Sequence, residues 1–492
     1  MKLNKLFLSG VVALGIGLTA CNIDEEVPET NSGKGDVWVS FAIALPRASG
    51  TRAETDNVGD ANAGDTYVGT ADEQEVKSVR IVLYDNDQVA YAFDLAIITD
   101  GTGNFTGNDI VEGATPTSSS FVTKAEKVVE KDYKVLVLLN PTDETINATQ
   151  KSNNISEFIQ PANTNVTALT SPAFFMSNSQ GLVDVAAAEL KTTQSEAESN
   201  PIAVKVDRAV AKVFVGGEPT VEQGATFTDI QWTLDVTNKK TFWMRKLAQK
   251  VTELNTFVPE TIGDGSNRYD RYAEDPNFTG TAISSDDFNY IEGVVTEGLK
   301  DAGFDDDKGI YVLENTMDAA SQMNSVTTRV ILKGVYTPAG FPKGDWYSYK
   351  GFKMTKEQFN NFKEQISDGD GELPGTPAGF KADIWALIEA GQNFEAESFS
   401  KNNLKFYKDG FCYYPDIYIR HFDDFQSSNK MGYGRYGVVR NNIYKLTLKT
   451  ISQPGEPVVV PPAEVPDDKE YGWVSFNVEV LPWLIRTQDV NL

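Results

Sequence analysis

Short runs of alternating apolar and polar residues dominate the chain. In "VKSVRIVLYD" (76–85), Val79, Ile81 and Leu83 recur with period two before an Asp-Asn-Asp turn, the signature of a strand with one buried face. "FTDIQWTLDVTNK" (227–239) sets Ile230, Trp232, Leu234 and Val236 on one face in the same way. "YKVLVLLNP" (133–141) is continuously apolar and predicts a strand covered on both faces. Further strands are predicted in "PIAVKVDRAVAKVFV" (201–215), where Asp207 and Arg208 interrupt the run as a turn or bulge, in "TTRVILKGVY" (327–336) and in "YGVVRNNIYKLTLKTI" (436–451). Helical spacing is rare. Thr355 and Gln358 stand at capping-box distance ahead of Phe359, Phe362 and Ile366, which share one helical face. "ADIWALIEAG" (382–391) predicts a second short helix closed by Gly391. Many short strands with few helices predict a mainly β protein of β-sandwich domains with helical decoration, and the length predicts two or three domains.

One strand pattern is written twice. "WVSFAIALP" (38–46) puts Val39, Phe41, Ile43 and Leu45 on one face, and "WVSFNVEVLP" (473–482) puts Val474, Phe476, Val478 and Val480 in the corresponding places. The opposite faces, Ser40, Ala42 and Ala44 against Ser475, Asn477 and Glu479, are small or polar, so both strands would enter one groove the same way round. The first copy is followed by "RASGTRAETDNVGDANAGD" (47–65), a small, polar stretch offering Arg47 and Arg52 to a protease. The second copy is preceded by "ISQPGEPVVVPPAEVPDDKE" (451–470), whose five prolines predict a semi-rigid stalk holding the strand away from the body. At about 3.1 Å per residue such a stalk reaches on the order of 60 Å. A cut after Arg52 or Arg47 would release the first strand and open an apolar groove. The last strand of another copy would then enter it by strand addition. A head-to-tail contact of this kind builds a filament when it does not close. Four buried apolar side chains contribute roughly 6–12 kcal/mol as an upper figure.

Composition narrows the setting. The 492 residues carry 70 acidic and 44 basic side chains, a formal charge of -26, which argues against a nucleic-acid partner. Lys2 and Lys5 precede a fifteen-residue apolar run (6–20), the length of a signal peptide rather than a membrane span. The run ends in "LTAC", which resembles the lipobox of bacterial lipoproteins and makes Cys21 the lipid acceptor. With Cys21 lipidated, Cys412 has no disulfide partner and is expected to be a buried, inert thiol.

Catalytic chemistry finds little support. His421 is the single histidine and is expected to be structural. No G-x-S-x-G, P-loop or C-x-x-C occurs. The acidic runs at 301–309 and 367–375 depart from the calcium-loop pattern and read as solvated loops. No enzyme activity, cofactor or metal is expected.

The start "MKLNK" with Cys21, "LPRASGTRA" (45–53), "VDRAVAKV" (206–213), "CYYPDIYIRH" (412–421), "VVRNNIYKLTL" (438–448), the Pro-rich segment and the ending "VEVLPWLIRTQDVNL" (478–492) together resemble the fimbrillin family of anaerobic bacteria. Within it they are most similar to shaft subunits of Mfa-type minor fimbriae, lipoprotein-derived type V pilins. The resemblance implies two transthyretin-like sandwich domains, export through the outer membrane as a lipoprotein precursor, cleavage by an arginine-specific protease and polymerisation by donor-strand exchange in a surface fimbrium. Carried onto this sequence, it implies lipid on Cys21 and a cut at Arg52–Ala53, with Arg47–Ala48 as the alternative. It also implies the following order: signal peptide 1–20, propeptide 21–52 with a placeholder strand at 37–46, domains 53–215 and 216–450, linker 451–470 and donor strand 471–492. Implied partners are further copies of the chain, fimbrial anchor and tip subunits, the protease, and host or bacterial surface receptors in adhesion and biofilm formation. The intact last strand favours a shaft role. A monomeric surface lipoprotein that binds glycans through aromatic side chains is the competing expectation, and a hydrolase is the weakest.

Overall fold

The computed structural model describes residues 35–45, 67–100, 104–111, 120–246, 273–278, 283–318, 321–421, 436–467 and 474–484, with 67–68 and 474–484 described as backbone only. The protein is mainly β.

The first sheet runs in the order β4 (Gln88–Leu95), β3 (Val79–Asp85), β7 (Tyr133–Leu139), β8 (Met176–Asn178), β9 (Ile202–Arg208), β2 (Phe41–Ala44), β5 (Ser120–Val122). Apart from it, β1 (Asp36–Val39) pairs antiparallel with β6 (Glu126–Val129). The expected strand at 76–85 forms, but it does not show a polar face. Arg80, Val82 and Tyr84 are as buried as Val79, Ile81 and Leu83. The cause lies downstream, where the helix Asp143–Ala148 ends at Thr149. Arg80 donates from Nε to Thr149 Oγ1 at 3.0 Å and pairs with Asp94 at 2.6 Å, so a cation sits under cover with its partners satisfied.

The chain passes between sheets over one residue. After β9, Ala209 breaks the run and β10 (Val210–Gly216) enters a second sheet. Asp207 and Arg208 lie within β9, just ahead of the break rather than at it. The change of sheet therefore falls ahead of the expected 215/216 boundary. In the second sheet β10 stands between β12 (Ile310–Leu313) and β19 (Asn442–Ile451). Its side chains alternate between two cores: Val210 and Phe214 join the first, while Ala211, Val213 and Val215 join the second. Opposite lies a sheet of Lys300–Asp301, β11 (Thr226–Asp235), β13 (Arg329–Thr337) and β18 (Phe411–Tyr418). Trp232, Leu332 and Tyr414 fill the space between.

Residues 338–410 leave the second sandwich between β13 and β18 and build a third layer. It is a sheet in the order β15 (Phe352–Thr355), β14 (Trp346–Tyr349), β17 (Leu404–Tyr407), β16 (Phe399–Lys401). Helices α1 (Lys356–Glu364) and α2 (Phe380–Glu389) cover a core of Tyr347, Phe359, Phe380 and Phe406. The capping box forms as expected: Thr355 Oγ1 accepts from Gln358 N, and Gln358 Oε1 accepts from Thr355 N. Gly391 follows α2 at φ 69°, the left-handed closure that favours glycine.

The Pro-rich segment is a correction. As far as Asp467 it is docked on the second sandwich instead of standing off as a stalk. Tyr413 N donates to Glu456 O at 2.7 Å, and Glu456 N donates back to Tyr413 O at 2.8 Å. Gly293 and Val459 exchange the same pair of bonds, each at 2.8 Å. Gly455 permits the first contact, because a Cβ there would lie 2.1 Å from Tyr413 O. Asp467 ends the described strap by accepting from Thr327 Oγ1 at 2.6 Å.

Candidate functional site: two seats for one strand pattern

The first copy of the repeated pattern is an interior strand. β2 runs parallel to β9 in the register Phe41 on Ile202 to Ala44 on Lys205. On its other edge it runs antiparallel to β5, with Ala42 on Val122, Ile43 on Phe121 and Ala44 on Ser120. Val39, Phe41, Ile43 and Leu45 are between 0% and 3% exposed and belong to the first core. Among the described residues, β5 has no ladder partner besides β2, and β6 has none besides β1. Loss of residues 36–44 would therefore strand both segments and uncover one edge of β9 and the core behind it.

Ser40 corrects the expected polar face. It lies at the crossing between β1 and β2 and is buried at 1% exposure. Its Oγ donates to Thr123 O at 2.6 Å, while Thr123 Oγ1 accepts from Phe41 N at 3.1 Å and Thr123 N donates to Phe41 O at 2.9 Å. Ile202 N donates to Ser40 O at 2.8 Å, and Trp38 exchanges two bonds with Lys191. Thr123 went unnoticed in the sequence. The signal that pointed to this contact was the serine conserved between the two copies of "WVSF".

The second copy is also a strand, β20 (Val474–Leu484), and it pairs within its own chain. It runs antiparallel to β19, with Phe476 on Leu448, Val478 on Leu446 and Val480 on Tyr444, and a bulge at Lys449. Those three β19 residues line the second core. On its far side, among the described residues, only Trp483 and Leu484 are paired, with the two-residue strand Tyr67–Val68. The side chains of Val474, Phe476, Val478 and Val480 lie outside the described residues. So do Cys21, Arg47, Ala48, Arg52 and Ala53 in full.

Beside this second seat, the turn Ala71–Gln74 anchors the chain after Tyr67–Val68. Glu73 Oε1 accepts from Lys212 Nζ and from Tyr311 OH, each at 2.6 Å, and Glu73 Oε2 accepts from Thr70 N at 2.7 Å. Both members of the Glu73–Lys212 pair are 1% exposed. Two further buried pairs are Asp207 of β9 with Arg245 at 2.7 Å and Glu314 with Arg440 at 2.9 Å. Charges this deep persist only when paired and hydrogen-bonded.

The remaining candidates behave as framework. Cys412 is buried, and burial pushes its thiol up to about 12, so it is protonated and unreactive. His421 is buried with Nδ1 2.8 Å from Tyr444 OH, which also accepts from Val439 N. Burial also pushes the Asp275 carboxyl up to about 7, against the hydrogen bonds from Asn277, Thr316 and Asn238 that favour its ionised form. Among the described residues no three His, Cys, Asp or Glu side chains gather as a metal site, and no helix is long and apolar enough to cross a membrane.

These features define a mainly β protein with an interior strand, β2, whose apolar pattern is written again near the other end of the chain. The family model described as "Major fimbrial subunit protein type IV, Fimbrillin, C-terminal" matches residues 405–489, which include β18, β19, the strap and β20. Over that C-terminal segment the chain is similar to the fimbrillin family. Similar solved structures include a fimbrilin from Porphyromonas gingivalis at 15% identity, covering 92% of this chain and 99% of that one, TM-score 0.38. The tip fimbrial protein Mfa3 of the same organism, with C-terminal truncation, is 12% identical over 91% and 100%, TM-score 0.34. A cell-adhesion candidate from Parabacteroides distasonis is 14% identical over 92% and 100%, TM-score 0.43. No curated protein sequence matches the chain.

Proposed function

We propose that the protein is a shaft subunit of a surface fimbrium that polymerises by proteolysis-triggered strand exchange. One observation carries this. The first strand fills an interior slot of the first sheet with its apolar face buried, and the last strand places an apolar residue at each corresponding position, Val474 and Phe476 being identical to Val39 and Phe41. Residues 1–20 direct export, Cys21 takes the lipid, and an arginine-specific protease cuts at Arg52–Ala53 or at Arg47–Ala48. The placeholder at 37–46 then leaves. The β20 strand of another copy unzips from β19 and enters the slot, presenting Val474, Phe476, Val478 and Val480 where Val39, Phe41, Ile43 and Leu45 had been.

The unit that assembles consists of a sandwich from residue 53 to the Ala209 crossing and a second sandwich to about 450. A strap over 451–470 and the donor over 471–492 follow. The filament grows head to tail, joins anchor and tip subunits, and serves adhesion and biofilm formation through surface receptors. Release of the donor includes peeling the docked strap, which gives the strand the reach the Pro-rich composition allows.

The test is protease treatment of the full-length precursor followed by electrophoresis without boiling. Detergent-resistant ladders are expected from the cleaved protein and none from a chain lacking residues 471–492. Ladders that survive that deletion would overturn strand exchange.

A further inference from the structure

The apolar face alone does not fix where an incoming strand stops. Val474, Phe476, Val478 and Val480 repeat every second residue, so a slip of two residues keeps an apolar side chain in at least three of the four positions. The placeholder is tethered to its own sheet and needs no such instruction, and its outward positions Ala42 and Ala44 supply none. A strand arriving from another molecule does need one.

Seating the last strand on the slot by its "WVSF" gives definite neighbours. Ser475 takes the place of Ser40 beside Thr123, and Phe476 falls on Ile202. Asn477 falls on Ala203 and Val122, and Val478 on Val204 and Phe121. Glu479 replaces Ala44, directly opposite Lys205 of β9. Lys205 is exposed, and it makes no ion pair among the described residues. Directly paired residues share a face of the sheet, so a carboxylate in this place meets the ammonium across the ladder. A slip of two residues either puts Asn477 opposite Lys205 or puts Glu479 opposite Ala203, and the pair is lost.

We propose that Lys205 of the accepting subunit and Glu479 of the donor form an intersubunit ion pair that fixes the register of strand exchange, with Ser475 at Thr123 as the second fixed point. This rests on the strand-exchange reading above. In its own chain Glu479 stands opposite Lys445. Glu479 therefore moves from a position opposite one lysine to a position opposite another. Only the second lysine belongs to the acceptor.

The experiment uses the full-length precursor, cleaved by an arginine-specific protease, and follows the rate of ladder formation. Lys205→Glu and Glu479→Lys should each slow assembly roughly three- to tenfold at about 0.05 M salt and by less at about 1 M. The double variant should return to near the original rate. A folding defect would not be rescued by the second substitution, and repulsion between Lys445 and Glu479→Lys would speed release instead of slowing it. Lys205→Cys with Glu479→Cys should give a disulfide-linked ladder under mild oxidation. Unchanged rates in the single variants, or a double variant as slow as either, would overturn the proposal if the ladders still require residues 471–492. Ladders independent of those residues would overturn strand exchange itself.

Discussion

β2 is hydrogen-bonded on both edges, to β9 and to β5, and its apolar side chains are sealed in the first core. β20 repeats the apolar alternation in sequence, yet it is zipped along one edge to β19 and, among the described residues, is paired on the other only at Trp483 and Leu484. An interior strand leaves only when its covalent tie to the sheet is cut and two ladders open together. A strand on the outside of a sheet comes away by opening one ladder from its end. Under the proposed exchange the seats divide the work of assembly: the placeholder, ladder-paired on both edges, is freed by proteolysis, whereas the donor, paired over nine positions along one edge, is freed by competition.

Substituting the matched phenylalanines should separate the seats most sharply. Phe41→Ala should cost the precursor about 3–5 kcal/mol, measured by urea unfolding, because Phe41 is 0% exposed. Phe476→Asp should abolish ladders and leave the unfolding of the first sandwich unchanged. Equal losses of stability from both would erase the distinction. Next in size, Glu73→Gln should cost about 3–5 kcal/mol by leaving Lys212 buried without its counter-ion. It should also loosen the Tyr67–Val68 edge of the β20 seat, read as faster amide exchange at Trp483 and Leu484. Thr123→Val should cost about 1–3 kcal/mol, since it strands Phe41 N in the slot, and should lower the urea midpoint of the precursor. The same substitution in the cleaved subunit tests the seat after exchange.

The smallest effect is a pH dependence in the second sandwich. The folded Asp275 carboxyl, at about 7, lies above its ordinary value of 3.8, so the folded state binds a proton that the unfolded chain lacks between those values. Stability from this group therefore rises as pH falls from about 7 towards 4, by at most about 1.4 kcal/mol per pH unit. Urea midpoints at pH 8 and pH 5.5 should show the gain, and Asp275→Asn should remove it.

Local patterns were legible where local forces decide them. The capping box at Thr355, the closure at Gly391, the strands and the buried thiol of Cys412 follow from spacing and propensity within a few residues. The inward face of the first strand was legible for the same reason. The missed features depend on residues far along the chain. The cover over Arg80 is set by the helix ending at Thr149, and the burial of Ser40 is set by Thr123. The strap shows the limit most clearly. Proline content fixes an extended backbone, but docking depends on free backbone groups of Gly293 and Tyr413, which no property of 451–467 reveals. The third layer over 338–410 was read as two helices and not as a unit, because its strands are short and its core is assembled from aromatic residues spread through the insertion.

The most direct test is to ask what occupies the slot in finished filaments. Mass spectrometry can count the peptide containing residues 36–46 relative to the subunit. The peptide should be present at about one per subunit in cleaved protein that has not assembled, held without a covalent bond, and absent from protease-resistant ladders. Ladders that retain one such peptide per subunit would contradict replacement of the first strand by the last.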